Sequence, residues 1–197
     1  MDYKKILEEK LKQSGGILLS EEVISENIPS IYLTRMVEQG SLQRVDRGIY
    51  MVEGGQYDGY YFFQKRYKVA IFSYLSALYL HQLTDSIPNK LEVTLYRGYN
   101  PHRMDENIIK HYVTKEVHEL GIVDCKTMYG NTVRVYDLER TICDLIKNRK
   151  AIDSEIFSKV LNRYVSSSNK DLAKLYKYAQ KMKILDKVLG VVEVFYE

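Results

Sequence analysis

Tryptophan is absent from this 197-residue chain, and cysteine occurs only at Cys125 and Cys143. The two thiols lie far apart and form no C-x-x-C pair, which argues against a zinc site, and in a reducing compartment a disulfide is disfavoured. No apolar run approaches the ~18 residues that a membrane-spanning helix requires. The N-terminus, MDYKKILEEKLKQ, is charged and amphipathic, unlike a signal peptide. A cytoplasmic protein without membrane contact is therefore expected. His81, His102, His111 and His118 show no H-E-x-x-H or related metal spacing. The segments D-R-G-I and R-G-Y-N lack the pattern of a phosphate-cradling glycine loop. No internal repeat, low-complexity run or heptad array is visible. The expectation is a protein with no metal, no cofactor and no catalytic residue.

What is present is an ordinary globular composition, 45% hydrophobic and 28% charged, with tyrosine abundant at 18 residues. Tyrosine suits cores, DNA backbones and interfaces alike, so it does not discriminate. The net charge is +3, but it is unevenly spread: residues 1–53 hold seven Lys/Arg against nine Asp/Glu, net −2, leaving +5 on residues 54–197.

The chain is organised around residues 15–52. Residues 2–14 read as a helix with Ile6, Leu7 and Leu11 on one side, ended by Gly15-Gly16. Ile17-Leu18-Leu19 suits a short strand. Ser20 has the character of an N-cap, with Glu21 and Glu22 in a favourable first turn. Asn27-Ile28-Pro29-Ser30 forms a turn. A second short helix then begins near Pro29 or Ser30 and stops at Gly40. Its core positions are Leu33, Met36 and Val37, with Ile28 at the base; Ser30, Tyr32, Thr34, Arg35 and Glu38 are left outward. Residues 41–45 alternate as a half-buried strand, Asp46-Arg47-Gly48 makes a tip and residues 49–52 return. That order is the layout of a winged helix-turn-helix, which lays one helix in the DNA major groove and a ribbon beside the backbone. The same fold could serve protein contacts alone. The arginines fall on the reading helix and ribbon while the acids crowd the helix before it, which favours DNA.

Residues 54–59 read as a glycine-containing linker, giving a domain at 1–53 and a second at 60–197. The second opens aromatic and then basic, with Lys65 and Arg66. Ile71 to Leu83 is apolar on most sides and reads as a core helix. Residues 91–96 alternate like a strand, and a polar loop carries Arg97 and Arg103. IIKHYV, ELGIVDC, KTMY and TVRVY are strand candidates, with a hairpin turn at Gly130-Asn131. Asp137 is placed to cap a helix with Leu138, Ile142, Leu145 and Ile146 on its buried side, where Arg140 and Asp144 are spaced for a local ion pair. His81 reads as a hydrogen-bonded residue in or near the core. Three helices follow, at about 153–165, 169–182 and 184–194. Lys170, Lys174, Lys177 and Lys181 fall on one face of the middle helix: either a solvated face or a stripe for phosphates or an acidic partner. The fold class expected is α+β, a winged helix-turn-helix followed by a larger mixed α/β domain ending in helices. An enzymatic alternative stays open, in which Asp105, Glu106, Asp124 and Glu139 meet in a nuclease-like site.

SALYLHQLT (76–84), Ile87-Pro88 and VRVYDLERTICD (133–144), in that order after SIYLTRMVEQGSLQRVDRGIYMV (30–52), resemble the abortive-infection antitoxins of the AbiEi type. The resemblance covers nearly the whole chain. It implies a winged helix joined to an antitoxin domain in a bacterial type IV toxin–antitoxin system that defends against phage. It implies further a transcriptional repressor of its own operon, acting at inverted repeats in double-stranded DNA. The implied antagonist is a cognate nucleotidyltransferase-like toxin, countered without a stable complex. The DNA contacts expected are Ser30, Tyr32, Thr34 and Arg35 in the major groove and Gln43, Arg44 and Arg47 at the wing. Lys65, Arg66, Arg97, Arg103 or the lysine stripe would add phosphate contacts, a division motivated by the charge split.

Overall fold

The computed structural model describes residues 2–102 and 104–194, and the chain divides into two compact units, 1–62 and 63–197. In the first unit, α1 (Tyr3–Gln13) is capped by the Asp2 carboxylate, which accepts from the Lys5 N–H, and it buries Leu7 and Leu11 one turn apart. The chain reverses at Gly15 and Gly16, both left-handed at φ 68° and 89°. β1 (Ile17–Leu19) follows and leads directly into α2 (Ser20–Ser25).

The expected cap at Ser20 is not made. Leu19 occupies the N-cap position with no side-chain bond, and the Ser20 N–H donates to the Gly48 carbonyl at 2.8 Å. Contact with the wing has taken the place of capping. A Cβ at Gly48 would come within 2.7 Å of the Ser20 hydroxyl, and its φ is 75°, so glycine is required there on both counts.

After the turn at 27–30 comes α3 (Ile31–Glu38), then β2 (Gln43–Asp46) and β3 (Ile49–Met51). The strands form an antiparallel sheet in the order β1-β3-β2, with Ile17 opposite Met51 and Arg44 opposite Tyr50; an irregularity between Arg44 and Asp46 kinks the wing. β1 alternates as a strand must. Leu18 joins Leu7, Val23, Ile28, Leu33, Met36 and Leu42 in the helical core, whereas Ile17 and Leu19 pack with Ile49 and Phe62.

Phe62 belongs to α4 (Gly59–Arg66). The boundary between the units therefore falls inside a helix, past the stretch 54–59 expected as linker. Asp58 in that stretch is 1% exposed and accepts from the Tyr61 N–H at 3.1 Å, which explains how the helix starts.

The second unit contains β4 (Ile71–Phe72), α5 (Tyr74–Leu80), β5 (Glu92–Tyr96), β6 (Ile109–Val113), the short α6 (Lys115–His118), β7 (Ile122–Lys126) and β8 (Thr132–Tyr136). Then come α7 (Leu138–Lys147), a 3-10 turn at Arg149–Ala151, α8 (Ser154–Ser166), α9 (Leu172–Lys181) and α10 (Leu185–Glu193). The sheet order is β6-β5-β4-β8-β7; β4 runs antiparallel to β5 and parallel to β8, and β7–β8 is the hairpin expected around Gly130. The helix expected over 71–83 is shorter than that. Ile71 and Phe72 are 0% exposed in the central strand, and a run apolar on every side fits a buried strand as well as a buried helix. KTMY is not a strand: Lys126 ends β7, and Thr127 to Gly130 form the turn. Leu78, Ile142, Leu145, Phe157, Val160, Leu175 and Val188 build a core around α7.

The architecture is α+β, with a winged helix-turn-helix followed by a larger mixed domain ending in helices, as the sequence predicts. No helix among the described residues is long and apolar enough to cross a membrane.

Candidate nucleic-acid interface

α3 turns Leu33 and Met36 inward, at 0% and 4% exposed, and Val37 packs half-buried beside them. That geometry leaves Ile31, Thr34, Arg35 and Glu38 exposed at the spacing of one helical face, with Ser30 exposed just before it. Tyr32 is different from the outward position expected of it. It is half-buried, its ring edge-on to Tyr3 at 5.2 Å between centroids, and the Arg35 guanidinium lies 5.7 Å from its ring. At the wing, Gln43, Arg44 and Arg47 are exposed, and the Arg47 N–H donates to the Asp46 carboxylate at 2.6 Å, bracing the tip. The acids Glu21, Glu22 and Glu26 lie on or just after α2, where Glu26 pairs with Lys10. α3 and the wing therefore expose three arginines from a unit whose total charge is not basic.

In the second unit, Lys65 is half-buried and Arg66 exposed in the last turn of α4, the Arg66 guanidinium 5.3 Å from the Tyr67 ring. Arg97 is exposed beyond the end of β5, and its N–H donates to the Val113 carbonyl. Arg103 lies outside the described residues. The lysines at 170, 174, 177 and 181 do not form one open stripe. Lys170 precedes α9, because Asp171 is the N-cap, and its ammonium donates to the Ser167 carbonyl at 3.2 Å. The Lys174 ammonium lies 2.9 Å from Asp137 and 3.4 Å from Glu139. Those carboxylates are buried and need a counter-charge, so a cation at that position is drawn to them rather than to solvent. Lys177 and Lys181 remain exposed.

The strings that carried the resemblance have a structural role. The Asp137 carboxylate caps α7 through the Arg140 N–H at 2.8 Å and accepts the Tyr178 hydroxyl at 3.0 Å. Glu139 accepts from the Asp171 N–H at 3.1 Å and the Tyr164 hydroxyl at 3.4 Å. Arg140 is wholly buried: its Nε is 3.2 Å from Asp144, its Nη1 donates to the Val117 and Leu120 carbonyls, and its guanidinium lies 4.0 Å over the Tyr136 ring. It thus binds the carbonyl end of α6 to α7. His81 Nε2 reaches the Tyr136 carbonyl at 2.7 Å. Burial pushes the Asp144 carboxyl above the ordinary carboxylate range, with Arg140 opposing, and burial together with Asp144 pushes the Cys143 thiol up to about 12. These groups are perturbed because they are enclosed, and they hold the core together. Motif and spacing did not single out a further polar group: His111 bonds Glu92 at 2.8 Å and stacks on Tyr74 at 3.8 Å. The available signal was Glu92 itself, a carboxylate set between Leu91 and Val93 at the start of an apolar strand.

The carboxylates of the enzymatic alternative are separated by the topology. Asp105 and Glu106 precede β6 at one sheet edge, Asp124 is on β7 at the opposite edge, and Glu139 is engaged inside the helical core. Among the described residues, no group of three or more His, Cys, Asp or Glu side chains is placed to hold a metal ion.

Residues 5–52, which run from α1 through β3, match the AbiEi_4 family, described as "Transcriptional regulator, AbiEi antitoxin". The resemblance inferred from the sequence therefore holds over the N-terminal unit. No curated protein matches the chain by sequence. Among solved structures, the crystal structure of the RV2827C protein from Mycobacterium tuberculosis is similar over 95% of this chain and 77% of that one, with a TM-score of 0.60 and 9% identity, which is a likeness of fold.

Proposed function

We propose that this chain is a sequence-specific DNA-binding repressor of its own operon and the antitoxin of a type IV toxin–antitoxin system. The observation that carries the DNA half is the exposure of Arg35, Arg44 and Arg47 on the reading helix and wing, in a segment matching transcriptional regulators. Ser30, Thr34 and Arg35 contact the major groove of an inverted-repeat operator. Arg35 is suited to a bidentate bond with guanine, and Ser30 and Thr34 to phosphates or base edges. Tyr32, packed against Tyr3, braces Arg35 rather than reading a base. Gln43, Arg44 and Arg47 follow the backbone at the wing. Lys65, Arg66, Arg97, Arg103, Lys177 and Lys181 add phosphate attraction from the more basic part of the chain.

The antitoxin half rests on residues 63–197. They counter a nucleotidyltransferase-like toxin without a lasting complex, as part of an abortive response to phage, in the bacterial cytoplasm. This role is non-enzymatic, and the use of the buried polar groups as internal braces supports that. Two measurements test the proposal. A reporter driven by the protein's own promoter should be repressed by the full chain and released by Arg35→Ala. Growth under toxin expression should be rescued by the full chain and not by residues 1–66 alone. Rescue by the winged helix alone would remove the antitoxin role from the second unit.

A further inference from the structure

The exposed face of α3 contains an apolar residue that the reading of arginines and hydroxyls leaves unused. Ile31 opens the helix, is 48% exposed, and lies on the same face as Thr34, Arg35 and Glu38. Single exposed aliphatic residues are common on protein surfaces, so exposure alone says little. Its position says more. The core of this unit closes without it, since Ile28 and Leu33 on either side of it are 3% and 0% exposed. The N-terminal turn of the second helix in a helix-turn-helix is also the part that meets base edges. A branched aliphatic side chain offers no hydrogen bond there. The group in the major groove that matches it is the 5-methyl of thymine.

We infer that Ile31 is a specificity-determining residue that contacts a thymine methyl in the operator, an inference resting on the DNA-binding reading above. Ile31 and Arg35 are one turn apart, a rise of ~6 Å at 1.5 Å per residue. Successive bases on a strand are ~3.4 Å apart. The thymine therefore lies within about two base pairs of the guanine that Arg35 reads. The face reads, from its N-terminal end, as a methyl contact, a hydroxyl and a guanine contact.

The test uses the full chain and a duplex enriched by it from a random library. Each thymine is replaced in turn by deoxyuridine, which removes only the methyl, and each guanine by 7-deazaguanine, which removes the acceptor that a bidentate arginine needs. Affinity is read by fluorescence anisotropy. One thymine per half-site, within about two base pairs of a sensitive guanine, should lose about fourfold in affinity as deoxyuridine, the size expected for one buried methyl group. Ile31→Ala should bind the thymine and deoxyuridine duplexes equally. Tolerance of deoxyuridine at every position by the unaltered protein overturns the methyl contact while leaving DNA binding intact, and so does an Ile31→Ala protein that keeps the penalty. Failure to enrich any duplex removes the DNA-binding reading, and the methyl contact with it.

Discussion

Arg140 and Asp144 are 0% and 2% exposed at their side chains and 3.2 Å apart. Removing one partner of such a pair leaves a buried charge uncompensated, which costs more than the pair itself contributes. Asp144→Ala should lower the unfolding free energy by about 3–5 kcal/mol. Asp144→Leu combined with Arg140→Met should cost less than the two single changes added together, as measured by urea denaturation. Strict additivity would mean that the two side chains act independently. Burial also sets the pH response. It holds Cys143 near 12 and raises the phenols of Tyr74, Tyr136 and Tyr164 above their ordinary range. Because these folded values exceed the unfolded ones, the stability they contribute is fully present below the ordinary thiol and phenol range and is lost as pH rises from there toward the raised folded values. Unfolding free energy should therefore fall above about pH 9, by about 1.4 kcal/mol per pH unit for each group kept protonated. Tyr74→Phe should make that decline shallower.

Helix caps in the second unit differ in what else they hold. Asp153 accepts from the Glu155 and Ile156 N–H groups of its own helix, whereas Asp137 takes the Arg140 N–H, the Tyr178 hydroxyl and the Lys174 ammonium together. Asp153→Ala should cost about 1 kcal/mol, the ordinary value of a cap. Asp137→Ala should cost about 3 kcal/mol, because two partners lose their acceptor as well. Lys174→Ala should destabilise the fold while Lys177→Ala leaves it unchanged, which separates the bracing lysine from an exposed one. On α3, Arg35→Ala should weaken binding of the enriched duplex by about 1–3 kcal/mol and relax preference at one base pair, whereas Arg47→Ala should weaken all duplexes alike. Anisotropy titrations against matched and mismatched duplexes distinguish the two.

For the whole molecule, the division of charge matters more than its total. Residues 1–53 carry net −2 and residues 54–197 carry +5, while Arg35, Arg44 and Arg47 are exposed on the first unit. A fragment comprising residues 1–66, which keeps Phe62 in its core, should retain the sequence preference of the full chain. It should bind more weakly and with a shallower dependence on salt, each lost phosphate contact lowering the slope by about one unit. Equal affinity and slope would show that the second unit contributes nothing to DNA.

The sequence by itself determined the winged-helix order, the outward positions of Thr34 and Arg35, the Asp137 cap and the three terminal helices. Each of these follows from local periodicity, from turn residues or from a cap, which act within a few residues along the chain. Other features depended on which distant residues come together, and only the tertiary structure decided them. Ile71-Phe72 became a central strand because neighbouring strands cover both of its edges. Ser20 turned its N–H to Gly48 instead of serving as a cap. Tyr32 was drawn against Tyr3. Lys174 left the solvated face because Asp137 and Glu139, buried across the sequence from it, required its charge. Periodicity cannot foresee such pairings, because the energy of enclosing an unpaired carboxylate depends on what is folded around it.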